Sequence, residues 1–105
     1  MPFYKIAETI ADIAFNKNNL CNATFGGKQI TLAKKETQLY AFAEKCPHAG
    51  SLLSEGHLDA KGCIVCPLHG YRFALQNGRN ISGEGYQLKI FPTEKREDGC
   101  WYIEI

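Results

Sequence analysis

The chain has 105 residues, with 12 Lys plus Arg against 11 Asp plus Glu, a formal net charge of +1. That length suits one domain, 1–105, and leaves no room for a second. Apolar residues at 45% and charged residues at 22% exclude disordered and fibrous classes. The near-balance of charge argues against nucleic acid or anionic lipid as the main partner.

In chain order the pattern is one of short strands and turns. Phe3 to Ala7 starts a strand, and Asp12 to Phe15 is a short segment ending at the turn-rich Asn16-Lys17-Asn18-Asn19. Leu20 to Phe25 and Lys28 to Lys34 flank Gly26-Gly27, a two-residue hairpin signal. Ile30 and Leu32 alternate with Thr31 and Ala33, the pattern of a half-buried strand. Gln38 to Glu44 follows, aromatic and strand-favouring. Cys63 to Cys66 is a further apolar run, then Tyr71 to Leu75 before the turn Gln76-Asn77-Gly78. Tyr86 to Phe91 and Cys100 to Ile105 close the chain, separated by a polar Glu94–Gly99 turn. No stretch has a sustained helical period, so the expectation is an all-β antiparallel sandwich or barrel.

Cysteine and histidine counts narrow the chemistry. Five cysteines, Cys21, Cys46, Cys63, Cys66 and Cys100, make a poor disulfide scaffold. Met1 to Lys5 shows no basic segment leading into an apolar run, and the longest apolar stretch, Leu39 to Ala43, is far short of the ~20 residues that span a bilayer. A reduced, soluble, cytoplasmic protein with no membrane partner is expected. The histidines are His48, His57 and His69. If two serve one site, the one left is too few for a second centre of the two-His-one-carboxylate kind.

Two loops break the strand rhythm with the same chemistry: Cys46-Pro47-His48-Ala49-Gly50 and Cys66-Pro67-Leu68-His69-Gly70. Proline stiffens each loop next to the thiol. Glycine lets backbone come close or take positive φ, freeing N–H groups to point at sulfur. Two thiolates and two imidazoles complete a four-ligand metal set. Zinc is one occupant, but zinc spacing groups like ligands together, whereas each loop here carries one of each. A [2Fe-2S] cluster with two Cys on one iron and two His on the other uses that arrangement.

Together with Tyr71-Arg72-Phe73, these loops resemble both cluster-binding loops of the Rieske family residue for residue, and Leu53, Gly56 and Gly78 fall where Rieske ferredoxins have similar residues. The resemblance implies a small antiparallel β-fold with the cluster at the two-loop end. Cys46 and Cys66 would hold the buried iron, and His48 and His69 the outer one. With neutral histidines the oxidised centre sums to zero charge, and one electron makes it −1, a change a low-dielectric pocket tolerates. Deprotonation of the outer imidazoles would couple its potential to pH at alkaline values.

Departures from the family refine this. Where the respiratory branch has a disulfide clamping the loops, this chain has Ser51 and Leu68; where that branch has serine and tyrosine hydroxyls, it has Tyr71 and Phe73. Fewer hydrogen bonds to sulfur place the potential towards the low end of roughly −150 to +300 mV. The proline-bearing cover of many Rieske ferredoxins reads here Ile81-Ser82-Gly83-Glu84-Gly85, which leaves open whether this segment covers the cluster.

Other residues read as structural. Cys63 lies on the opposite strand face from Cys66 and is a small core residue; Cys21 and Cys100 read alike. His57 reads as a surface turn, Trp101 as core, and Lys34-Lys35 and Lys95-Arg96 as solvated turns. An apolar rim of Pro47, Ala49, Leu68 and Tyr71 suits brief docking.

The resemblance implies a soluble one-electron carrier between a flavin-dependent NAD(P)H reductase and a terminal oxygenase such as a ring-hydroxylating dioxygenase, not itself an enzyme. The alternative within the fold is the small subunit of an NAD(P)H nitrite reductase. From another class comes a zinc-stabilised binding module.

Overall fold

The computed structural model describes residues 3–47 and 50–105. Among them run ten strands: β1 (Phe3–Ala7), β2 (Leu20–Phe25), β3 (Lys28–Lys35), β4 (Gln38–Ala43), β5 (His57–Leu58), β6 (Cys63–Val65), β7 (Arg72–Ala74), β8 (Ile90–Phe91), β9 (Thr93–Lys95) and β10 (Trp101–Glu104). The helical content of the described residues is two 3-10 turns, Ile10–Asp12 and Leu53–Glu55. Three antiparallel sheets result, ordered β1-β10-β9, β2-β3-β4-β8 and β5-β6-β7.

The four-stranded sheet lies between the other two. Period-two alternation sends successive side chains of β3 and β4 to opposite faces. Leu32, Leu39 and Ala41 share one buried cluster with Phe91, Trp101 and Ile103, joining this sheet to β1-β10-β9. Ala33 and Phe42 share the other with Leu53, Ile64, Phe73 and both loop cysteines, joining it to β5-β6-β7. Thr31 is therefore fully buried, not facing water as alternation predicts, and its hydroxyl donates to Asn22 Oδ1 at 2.7 Å. The strand is covered on both faces because a layer packs on each.

Gly26 and Gly27 take φ +56° and +80°, the two left-handed residues a tight hairpin of matching twist requires. Elsewhere the expected boundaries shift. Within the segment Asp12 to Phe15, Asp12 ends the first 3-10 turn and Ile13 to Phe15 is irregular. Tyr86 to Phe91 narrows to the two residues of β8; before it Gln87 bridges Arg79, and Leu88 N–H donates to Gly78 C=O at 2.9 Å. Inside the expected polar turn, Glu94 and Lys95 pair with Tyr102 and Trp101 as part of β9. His57 is exposed but strand-paired with Val65, not in a turn. Arg96 is likewise more than solvated: its guanidinium lies 3.9 Å from the Tyr102 ring centre and 5.0 Å from that of Phe3. Trp101 is core, 4% exposed.

Candidate metal centre

Both Cys-Pro loops are hairpin tips. The first leaves β4 through Lys45, which bridges Leu52, while Leu53 N–H donates to Glu44 C=O at 3.0 Å. The second joins β6 to β7, with Val65 opposite Arg72. Beyond these necks the two tips close alike. Cys46 N–H donates to Ser51 C=O at 2.8 Å, and Cys66 N–H to Tyr71 C=O at 2.8 Å. Gly50 N–H donates back to Cys46 C=O at 2.8 Å, and Gly70 N–H to Cys66 C=O at 3.0 Å. Gly50 and Gly70 both sit at φ +72°. The repeat seen as letters is thus one turn built twice, each cysteine at the first corner and each glycine supplying the left-handed one.

Cys46 and Cys66 are 2% and 1% exposed and belong to the same buried cluster. His69 is exposed. His48, the fourth residue singled out from the sequence, and Ala49 lie outside the described residues. Among the described residues no three His, Cys, Asp or Glu side chains gather in a way that could hold a metal ion.

Close backbone packing supports the tips. A Cβ on Gly56 would fall 2.0 Å from Val65 C=O, so glycine is needed where the first loop's return passes the strand leading to Cys66. A Cβ on Gly78, at φ +75°, would fall 2.0 Å from Leu88 C=O. At the entry to β6, Asp59 Oδ1 accepts from Lys61 and Cys63 N–H at 2.9 Å each, and its other oxygen lies 3.8 Å from Arg72 Nε.

A third segment flanks the second tip. Asn80 Nδ2 donates to Arg72 C=O, to Ser82 Oγ and to Glu84 Oε1 at 3.0–3.1 Å, and Asn80 Oδ1 accepts from Glu84 and Gly85 N–H at 2.6 and 2.9 Å. Ser82 Oγ also bonds the Glu84 carboxylate and accepts from Arg72 N–H at 3.1 Å. This clasp folds residues 80–85 against β7. Tyr86 follows it, with its ring centre 5.9 Å from that of Tyr71, which is 6.0 Å from the His69 ring. Burial, then the Glu84 carboxylate, pushes the Tyr71 hydroxyl above its ordinary range. Tyr86, Ile81 and Asn80 have no place in the sequence-derived rim; the polar alternation Asn80-x-Ser82-x-Glu84 was the available signal, since such side chains bond nearby backbone. In that rim, Leu68 is 55% exposed, while Ile81 and Tyr86 are 48% and 40%.

Three cysteines stand apart from the loops and are in no disulfide. Burial raises the thiols of Cys63, Cys21 and Cys100, with Asp59 adding at Cys63 and Asp98 at Cys100. A cavity of about 550 Å³ lined by Glu8, Lys34, Glu36, Lys95, Asp98 and Trp101 includes no residue of the two tips.

The Rieske [2Fe-2S] domain model matches residues 4–92. The chain belongs to the Rieske [2Fe-2S] family. A [2Fe-2S] cluster is the cofactor of this domain. The Rieske chain is similar to the ferredoxin component of an alkene monooxygenase system from Xanthobacter autotrophicus, 33% identical over 69 residues, 66% of this chain and 57% of that protein. It is also similar to the ferredoxin component of the naphthalene 1,2-dioxygenase system of Pseudomonas putida, 29% identical over 86% of each chain. A nitrite reductase [NAD(P)H] from Emericella nidulans is 33% identical over 92 residues, 80% of this chain but 8% of that protein.

Solved structures agree on the fold. A chain from the complex of reduced oxygenase and oxidized ferredoxin in carbazole 1,9a-dioxygenase superposes with TM-score 0.78 at 27% identity, covering 96% of this chain and 91% of that one. A nitrite reductase small-subunit structure from Mycobacterium tuberculosis superposes with TM-score 0.83 at 15% identity, covering 97% and 93%. Among the described residues no helix is long and apolar enough to cross a membrane.

Proposed function

We propose that residues 1–105 form one Rieske domain in which Cys46, Cys66, His48 and His69 hold the [2Fe-2S] cluster, thiolates on one iron and imidazoles on the other. The observation that carries this reading is the pair of equivalent hairpin tips, each presenting a buried cysteine from the same corner. The donor set fits the group: soft thiols at 2% and 1% exposure on the core side and an exposed imidazole beyond them. When bound, the cluster takes up and returns a single electron. The chain's own contribution is to keep water from the two sulfurs and to leave the His69 ring edge accessible to a partner. No hydroxyl stands at Phe73, which is fully buried, so the potential lies towards the low end of roughly −150 to +300 mV.

On this reading the protein is a soluble, cytoplasmic electron carrier, not itself an enzyme. It accepts an electron from a flavin-dependent NAD(P)H reductase and gives it to a terminal oxygenase. The two ferredoxin components named above support this role. The test is a coulometric titration of the purified protein, followed by mixing the reduced form with a terminal oxygenase. Reversible uptake of one electron per chain and reoxidation by the oxygenase are expected. A protein that takes up no electron, or binds one zinc instead, contradicts the proposal and favours a zinc-stabilised binding module.

A second reading, the small subunit of an NAD(P)H nitrite reductase, is favoured by the fungal relative. Reoxidation of the reduced protein by a nitrite reductase large subunit, and not by an oxygenase, would select it.

A further inference from the structure

We propose that Glu84 is a fixed negative charge beside the second tip that holds the cluster's reduction potential down, with Asn80 and Ser82 as the residues that position it. The proposal rests on the electron-carrier reading above and adds a residue that tunes it.

The fold builds the place of Glu84. Residues 79–82 cover the outer edge of β7: Ala74 N–H donates to Arg79 C=O at 2.9 Å, and Ile81 N–H to Arg72 C=O at 3.0 Å. Asn80 Nδ2 donates to the same Arg72 C=O, and Ser82 Oγ accepts from Arg72 N–H, at 3.1 Å each. Those two side chains also hold the Glu84 carboxylate, Asn80 Nδ2 at 3.0 Å and the Ser82 hydroxyl beside it. Asn80 Oδ1 takes the Glu84 N–H at 2.6 Å. The carboxylate is thus tied through main chain and side chain to Arg72, the neighbour of Tyr71, whose C=O closes the second tip onto Cys66 N–H. Arg72 turns its own guanidinium to Asp59, 3.8 Å away.

Charge decides what a group so placed does. With neutral histidines the reduced centre carries one more negative charge than the oxidised one. A carboxylate held nearby repels that added electron and favours the oxidised form. Its field reaches the tip: burial first, then Glu84, Tyr86 and the two tip thiols push the Tyr71 hydroxyl above its ordinary range. The Tyr71 ring centre is 6.0 Å from that of His69. Glu84 is exposed, and at about 0.1 M salt such a charge is screened over ~10 Å. The clasp keeps it effective by stopping it from swinging out into solvent.

The test is the midpoint potential of the cluster-containing protein at neutral pH, in wild type, Glu84→Gln, Glu84→Lys and Glu8→Gln. Glutamine keeps an oxygen for Asn80 and Ser82 while removing one charge, and lysine reverses the charge. Glu8 lines the cavity that includes no residue of the tips and serves as the remote acid. The potential should rise in Glu84→Gln, rise about twice as far in Glu84→Lys, and stay at the wild-type value in Glu8→Gln. The Glu84→Gln shift should shrink as ionic strength is raised from about 0.01 to 1 M. A disturbed loop would neither scale with charge nor fade with salt. In an Asn80→Ala or Ser82→Ala background the Glu84→Gln step should lose most of its shift, because the charge is no longer held in place. A full shift in both backgrounds overturns the positioning roles. Equal potentials in wild type and Glu84→Gln, with reversible one-electron uptake in each, overturn the proposal while leaving the carrier reading intact. A wild-type protein that takes up no electron overturns both.

Discussion

At the scale of single residues, Gly56 shows how tightly the cluster end is packed. Its missing Cβ makes room for Val65 C=O, which a methyl would approach to 2.0 Å. Gly56→Ala must push β6 away from the first loop's return, at a cost of about 1–3 kcal/mol or more. Gly99 is a useful contrast: it has φ +85° but open space around a Cβ, so Gly99→Ala pays only the left-handed penalty of about 1–2 kcal/mol. Urea denaturation should rank Gly56→Ala below Gly99→Ala, and only the former should also shed iron faster.

The thiols outside the tips give a pH prediction. The neutral form of each is favoured, so Cys63, Cys21 and Cys100 stay protonated above the ordinary thiol value of about 8.5. Since the thiolate is the nucleophile, alkylation by iodoacetamide should keep accelerating past that pH rather than level off there. Cys21, half-buried on β2 while the other two are buried, should react first. Peptide mass mapping across pH 7–10 reads this directly; a plateau near the ordinary value would contradict it.

At the scale of elements, the two tips behave as one design used twice. Gly50→Ala and Gly70→Ala meet no steric obstacle but lose the φ +72° corner each tip needs. Each should cost about 1–2 kcal/mol and shorten cluster retention under a chelator by similar factors. A large effect from one and none from the other would break the equivalence. The 16–22 segment forms a second device. Asn16 Nδ2 donates to Ser54 C=O, Asn18 Nδ2 to Gly56 C=O and Asn22 Nδ2 to Ser54 Oγ, tying the four-stranded sheet to the turn after the first tip. Asn18→Ala should cost about 1 kcal/mol. Asn16→Ala should cost more, because Asn16 Oδ1 also accepts from Asn18 and Leu20 N–H. Hydrogen exchange should quicken at residues 53–56 in both.

Legibility in the sequence varied by element for physical reasons. Strands β1 to β4 were readable because alternation and the Gly26-Gly27 pair are local signals. The tips were readable because their chemistry repeats, though not that both cysteines close the same two hydrogen bonds. The stretch between Gly78 and β8 was not readable, whereas β10 falls within the expected Cys100 to Ile105 run. The Asn80 clasp satisfies its backbone with side chains, which leaves no period behind, and Tyr86 meets Tyr71 across fifteen residues of chain. Strand β9 was hidden because Glu94 and Lys95, exposed on an edge strand, look like a turn.

At the scale of the whole molecule, the layers divide the labour. The sheet β1-β10-β9 packs on one face of the four-stranded sheet through Trp101 and Ile103, and takes no part in the tips. The other face, through Phe42, buries Cys46 and Cys66 within one cluster with Phe73 and Ile64. One side of the molecule thus carries the β1-β10-β9 layer, and the other sets the two tip cysteines into the core.

The central claim is that Cys46, Cys66, His48 and His69 hold a [2Fe-2S] cluster. Pulsed electron paramagnetic resonance of the dithionite-reduced protein tests it most directly. The predicted result is a half-spin signal coupled to nitrogens of two imidazoles, with a change in that coupling in either His48→Cys or His69→Cys. A reduced protein without nitrogen coupling, or a colourless one holding a single zinc, would contradict it.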